Sequence, residues 1–221
     1  MNYCDKILAK NKENARAEFL RARALIGLKQ YKQAIFTLEK LLVGYPDNAD
    51  ILNNLSECYR REGEGRKSVE LCEKVLENDG QNVEALTSLA FIYFFDMERN
   101  DKNIELATQY AERVLLLDPN DITSLVVKSN SFFEANQDEN AELSLRKAIE
   151  SNNAEHYAYQ YALYALAQIY SDNDNVHEAM NTLRKLFLIT DDFKDKVKNN
   201  KRFKKLKKFD EFKKFVNDTT S

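Results

Sequence analysis

The octapeptides LNNLSECY (residues 52–59), LTSLAFIY (86–93) and LYALAQIY (163–170) decide how this chain reads. Each sets two leucines, a small residue and a tyrosine at offsets of three, one and three. In the first these are Leu52, Leu55, Ser56 and Tyr59. In the second they are Leu86, Leu89, Ala90 and Tyr93, and in the third Leu163, Leu166, Ala167 and Tyr170. That spacing gathers all four on one face of an α-helix. The small residue carries the most information, because two helices cross closely only where small side chains meet. The aromatic then fills the space one turn further on.

Working outward, the small residue recurs at Ala22, Ser56, Ala90, Ser129 and Ala167, with spacings of 34, 34, 39 and 38. A second series runs Ala34, Ser68, Ala107, Ala141 and Ala179, with spacings of 34, 39, 34 and 38. Two interleaved series at one period describe a repeated helix-turn-helix unit. Ala22 with Leu25, and Ser129 with Phe132, mark the two weaker copies. Pro46 and Pro119 close the first and third units, since proline cannot continue a helix, and Gly80, Asn153 and Asp191 stand at the corresponding places in the others.

This pattern resembles the tetratricopeptide-repeat (TPR) family, whose units follow a large, small, aromatic, Ala, large, Pro order over about 34 residues. The resemblance covers residues 1–192. It implies an all-α TPR solenoid, a right-handed superhelix of helix-turn-helix repeats near 15–48, 49–82, 83–121, 122–155 and 156–192. Residues 1–14 are expected as a half repeat or N-terminal cap, with Cys4 and Ile7 at core positions. Two irregularities stand out. FFDMERNDKN (94–103) lengthens the connection inside the third unit by five residues, as a longer turn or a protrusion. In the fifth unit the first helix is expected to start near Glu155.

Composition agrees. Hydrophobic residues make up 43% and charged residues 31%, which suits helices with one wet face each. Five glycines and two prolines are too few for a strand-rich fold. A net charge of −3 argues against a general nucleic-acid or membrane binder. Cys4, Cys58 and Cys72 form no C-x-x-C pair and read as reduced thiols, Cys58 and Cys72 packing inside one unit. No apolar run reaches the ~20 residues of a membrane span, and MNYCDKILAK lacks a signal peptide's apolar core, so a soluble cytoplasmic protein is expected.

Chemistry-bearing motifs do not surface: there is no G-x-x-x-x-G-K-[ST], G-x-G-x-x-G, H-E-x-x-H or G-x-S-x-G. His156 and His177 lie far apart and lack companions at metal-ligand spacing. Neither enzyme activity, nor a cofactor, nor a metal is expected. The resemblance instead implies capture of another protein or peptide along a concave groove lined by the first helices. By register the groove residues are Arg23 and Arg60 in a charged N-terminal half. Phe91, Phe95, Val126, Asn130, Phe133, Tyr157, Tyr161 and Tyr164 form an aromatic C-terminal half. Tyr157, Tyr161, Tyr164 and Gln168 are spaced 4, 3 and 4, and tyrosine offers contact area with a polar tip at small entropic cost. Aromatics at such spacing serve equally well as packing between neighbouring units, and the arginines as solvated or paired charges.

The C-terminal tails of Hsp70 and Hsp90 chaperones are argued against as partners. The family members that hold them present a Lys/Asn/Asn/Lys/Arg set. Here Phe19, Arg23, Asn54, Glu84 and Ser88 stand at those positions, matching once and reversing one charge.

The character changes after Asp191. Residues 194–214 hold eleven basic and three acidic residues, a local charge of +8, which leaves −11 on the rest. Val197, Phe203, Leu206, Phe209, Phe212 and Phe215 recur among Lys201, Arg202, Lys204, Lys205, Lys207 and Lys208. Asp210 and Glu211 suit the start of a last helix. A solenoid needs a terminal element with a polar outer face, so residues 193–221 read as a basic amphipathic cap. The same lysines suit contact with nucleic acid or an anionic membrane. A third reading is a structural subunit of a permanent or self-associated complex.

Overall fold

The computed structural model describes residues 14–150 and 153–217, which form helices and short connections and, among the described residues, no strand. The half repeat or cap expected at 1–14 lies, apart from Asn14, outside the described residues. Five helix pairs follow one another: α1 (Ala15–Gly27) with α2 (Tyr31–Gly44), α3 (Ala49–Arg61) with α4 (Gly65–Asn78), α5 (Val83–Phe91) with α6 (Asp101–Leu117), α7 (Ile122–Glu134) with α8 (Asp138–Glu150), and α9 (Tyr157–Asp172) with α10 (Val176–Phe187). Then come α11 (Lys194–Asn199), two 3₁₀ turns (Lys201–Phe203 and Leu206–Lys208) and α12 (Asp210–Asn217). The chain folds as two compact units: one ends at Leu117 and holds three pairs, the other begins at Asp118 and holds two pairs and the C-terminal segment.

Local chemistry sets the helix boundaries. Each first helix starts on a polar side chain that accepts a backbone N–H of the first turn: Asn14 from Ala17, Asn48 from Ile51, Asn82 from Ala85, Asp121 from Ser124 and His156 from Ala158. Such caps satisfy donors that the helix itself cannot, each stabilising by about 1 kcal/mol. Four of the pairs turn through a single residue with positive φ, namely Lys29 (58°), Gly63 (80°), Asn136 (55°) and Asp174 (59°). After each, a backbone N–H reaches five residues back, as from Gln30 to Leu25 and from Glu64 to Tyr59, which closes the helix end.

The third pair departs from this turn. Its first helix continues through a π-helical turn, Ile92–Asp96, and the chain then folds back so that Met97 packs on the cluster containing Leu52, Cys72, Leu89 and Ile92. The inserted residues are a longer inter-helix connection closed onto the repeat core, not a protrusion.

The small-residue series explains the packing. Ala22, Ala34, Ala90, Ala107, Ala141, Ala167, Ala179 and Ser68 have no exposed surface, and Ser56 and Ser129 almost none. Where serine replaces alanine its hydroxyl is satisfied: Ser56 and Ser68 lie 2.7 Å apart, Ser68 donates to the Ser56 carbonyl, and Ser129 donates to the Val126 carbonyl. Within the first compact unit neighbouring pairs are latched by cations that donate to the preceding repeat's closing turn, Lys74 to the Pro46 carbonyl and Arg113 to Gly80, and within the second Lys147 donates to the Pro119 carbonyl. Cys58 and Cys72 are buried free thiols, pushed up to about 12 and about 11, chiefly by burial. They fill space as small apolar groups, Cys72 against the Ser56 hydroxyl.

Candidate partner-binding surfaces

In the first unit the sequence-derived groove residues meet where α3 faces α5. Arg60 is the organising group. Its guanidinium lies 4.4 Å from the centroid of Phe91, donates twice to Glu57 (2.8 and 2.9 Å) and reaches Asp96 on the π-helical turn at 3.3 Å. Phe91 and Phe95 pack at 4.6 Å between centroids, and Phe95 meets Phe94 edge-on at 4.8 Å. The π turn carries Asp96 to Arg60 and Phe95 onto Phe91. Burial raises the Glu57 carboxyl, but hydrogen bonds and charge from Arg60 and Arg61 more than offset this and hold it below its ordinary value. Burial dominates at Asp96 and pushes it up despite Arg60. One helical turn along, Asn53 donates to Asn82 and Glu84, while its Oδ1 and the Thr87 hydroxyl are buried without a hydrogen-bond partner among the described residues. Arg23 stands exposed on α1.

In the second unit the expected aromatic stripe divides. Asn130, Phe133, Tyr161 and Gln168 line one small, partly open cleft with Ser129, Leu145, Ala165 and Ile169. Val126 and Tyr164 are corrections to the groove. Val126 has no exposed surface, because α7 is buried on every side from Thr123 to Val127. Tyr164 is only 9% exposed, and its ring packs on Phe193 and Phe203 of the C-terminal segment. Its hydroxyl accepts from Asn200. Tyr157 stacks on Phe193 and accepts from Lys196. The chain's own tail occupies this part of the stripe.

That tail is built as a cap. Phe193, Val197, Phe203, Leu206, Phe212 and Val216 are buried. Ser171 donates to the Arg202 carbonyl, Arg202 pairs with Asp172, Lys205 with Asp174, and Arg184 of α10 with Glu211. The Arg202 guanidinium also lies 4.2 Å from the Phe133 centroid, at the margin of the cleft. Lys201, Lys204, Lys207 and Lys208 are exposed. The two histidines serve local structure: His156 caps α9, and His177 bonds Asn181.

Residues 1–100 match the family model described as the N-terminal TPR repeats region of Psidin, and residues 161–192 match the tetratricopeptide repeat model. The chain is a tetratricopeptide-repeat protein. Over 89 residues, 40% of its length, it is 30% identical to the TPR repeat-containing protein YvcD of Bacillus subtilis (strain 168), and the match spans only 18% of that protein. Among solved structures, TTC0263 of Thermus thermophilus, described as a thermophilic TPR protein, superposes with a TM-score of 0.61 at 18% identity, covering 82% of this chain and 94% of that one. The Cut9–Hcn1 assembly of the APC/C aligns at 0.73 and 13% identity, over 87% of this chain and 36% of its own. YrrB, described as a TPR protein with an unusual peptide-binding site, aligns at 0.58 and 17% identity, over 93% and 98%. At these identities the likeness establishes the fold class, a TPR solenoid. No helix among the described residues is long and apolar enough to cross a membrane.

Proposed function

We propose that this TPR protein is a non-catalytic, soluble cytoplasmic adaptor that binds an extended segment of another protein on its first-helix faces. The primary seat is the cleft of Asn130, Phe133, Tyr161 and Gln168. The observation that carries this reading is the makeup of that cleft. Two aromatic rings and the Leu145 and Ile169 side chains line a small, partly open cleft. The Gln168 carboxamide at its edge has no hydrogen-bond partner among the described residues. An apolar or aromatic anchor would fill the cleft while Gln168 pairs with the ligand backbone, the arrangement expected of a small hot spot with a few fixed polar groups. The Arg60–Phe91–Phe95 surface supplies a second contact on the other unit. The peptide-binding site named for YrrB supports the reading by showing what this fold can do.

The test is a selection from a displayed peptide library on the full chain, followed by calorimetric titration of an enriched peptide. Phe133→Ala, Tyr161→Ala and Gln168→Ala should each weaken binding about tenfold or more, some 1.4 kcal/mol. A library that yields no binder, or a peptide whose affinity the three variants leave unchanged, would sink the proposal.

A further inference from the structure

Residues 201–209 read Lys-Arg-Phe, Lys-Lys-Leu, Lys-Lys-Phe, a triplet repeated three times. The backbone adopts the matching period. Phe203 N–H donates to the Asn200 carbonyl, Lys204 to Lys201, Lys207 to Lys204 and Phe209 to Leu206, each bond spanning three residues. In 3₁₀ turns side chains three apart fall on one side, so the period-three sequence sorts its residues onto three sides of the segment, its three ridges.

The ridges have different fates. Phe203 and Leu206 are fully buried, and Phe209 is partly so. Of the second ridge, Arg202 pairs with Asp172 and Lys205 with Asp174, which holds the turns onto the last repeat, while the Lys208 ammonium lies over the Phe209 ring. The third ridge is Lys201, Lys204 and Lys207. All three are exposed, and none has a carboxylate partner among the described residues. Docking of the segment uses the first two ridges, leaving the third with no structural role.

We propose that the Lys201–Lys204–Lys207 ridge binds the phosphodiester backbone of a nucleic acid, without base specificity. Three residues at ~2.0 Å rise set neighbouring ammonium groups ~6 Å apart along the turn axis, so the ridge is ~12 Å long and spans about four phosphates of a strand at ~3.4 Å each. Lysine suits this role as a point charge with three rotatable donors that follows a phosphate path without a fixed fork. A line of charge fits a linear polyanion better than a plane. A membrane would also call for apolar residues to insert, and those of the triplets face the repeat instead. The −11 carried outside residues 194–214 repels nucleic acid elsewhere, confining contact to the basic segment that holds this ridge. This site is separate from the peptide cleft and stands or falls independently of it.

The test uses the full chain with two fluorescein-labelled probes, a 20-base-pair DNA duplex and a 20-nucleotide RNA strand, read by anisotropy from 50 to 200 mM KCl. Neutralising about three phosphates should weaken duplex binding roughly 40-fold over that range. Lys201→Gln, Lys204→Gln and Lys207→Gln combined should abolish the salt-dependent signal, with the thermal melt unchanged because these side chains are exposed. The corresponding triple arginine variant should keep it. Three results would each overturn the proposal: no binding of either probe at 50 mM salt, undiminished binding by the glutamine variant, or binding confined to vesicles containing phosphatidylserine.

Discussion

The stretch around Phe91 in the first unit and the stretch around Tyr164 in the second begin as the same signal, aromatic residues at helical spacing on the first helix of a repeat. They end differently. Phe91 stays half-buried beneath Arg60 with the half-buried Phe95 packed beside it, at a surface shaped by the π-helical turn. Tyr164 disappears under the cap, where Phe193 and Phe203 fill the place that a further repeat would take, and Tyr157 stacks on Phe193 at its margin. An aromatic on a repeat's inner face is therefore neither core nor site by its own nature. What lies next along the chain decides, and a terminal repeat has the strongest reason to lend its face to packing.

The largest break in this comparison comes from the cap's keystone. Phe203 has no exposed surface and contacts both Tyr164 and Phe212. Phe203→Ala should cost about 3–5 kcal/mol, read as a lowered denaturation midpoint, and should open Tyr164 to solvent. Phe91→Ala on the half-buried surface should cost clearly less. If the two substitutions cost the same, the contrast between covered and open aromatics fails.

A smaller effect sharpens it. Tyr164→Phe removes a buried hydroxyl that accepts from Asn200 at 2.8 Å and leaves the ring contacts in place. The expected loss is about 1 kcal/mol in denaturant melts. Asn200→Ala should cost more, since it also loses the bond that Asn200 Oδ1 accepts from the Arg202 N–H, and the double variant should cost less than the sum, since both changes remove the Asn200–Tyr164 bond. Full additivity would mean that the bond contributes nothing to docking the cap.

How much of this was legible beforehand follows from which residues interact locally. The small-residue series depends only on neighbouring helices of one repeat, so Ala22 through Ala179 could be read straight from spacing. The basic segment's role as a cap was legible too, because Phe203, Leu206 and Phe212 recur among lysines. The fate of Tyr164 was not, since it rests on contacts with Phe193, Asn200 and Phe203 from 29 to 39 residues later, which no periodicity within a repeat reports. Nor was the turn of the third pair. Ile92–Asp96 has no sequence mark of π geometry, and its value in bringing Asp96 to Arg60 emerges only once α3 and α5 are side by side. The triplet of 201–209 was visible as basic residues, but its period of three becomes meaningful only with three-residue hydrogen bonds.

The smallest effect concerns the two carboxylates that share Arg60, which titrate in opposite senses. Glu57 is held below its ordinary value, so its contribution to stability is present above the unfolded-state value of ~4.3 and is lost as pH falls through the lower folded one. Asp96 is raised by burial, so its contribution is present below the unfolded-state value of ~3.9 and is lost as pH rises through the higher folded one. Glu57→Gln should therefore destabilise at pH 7 by a few tenths of a kcal/mol, the scale of a partly exposed pair, and should match the parent near pH 3. Asp96→Asn should do the reverse, its melt meeting the parent's near pH 3 and lying at or above it near pH 7, reduced only by the lost bond to Arg60. Denaturant melts of the three proteins at pH 3, 5 and 7 separate these courses. Parallel curves would show that Arg60 is a solvated cation resting on Phe91, and the first unit's surface would then have no ordered polar centre to set against the covered Tyr164 of the second.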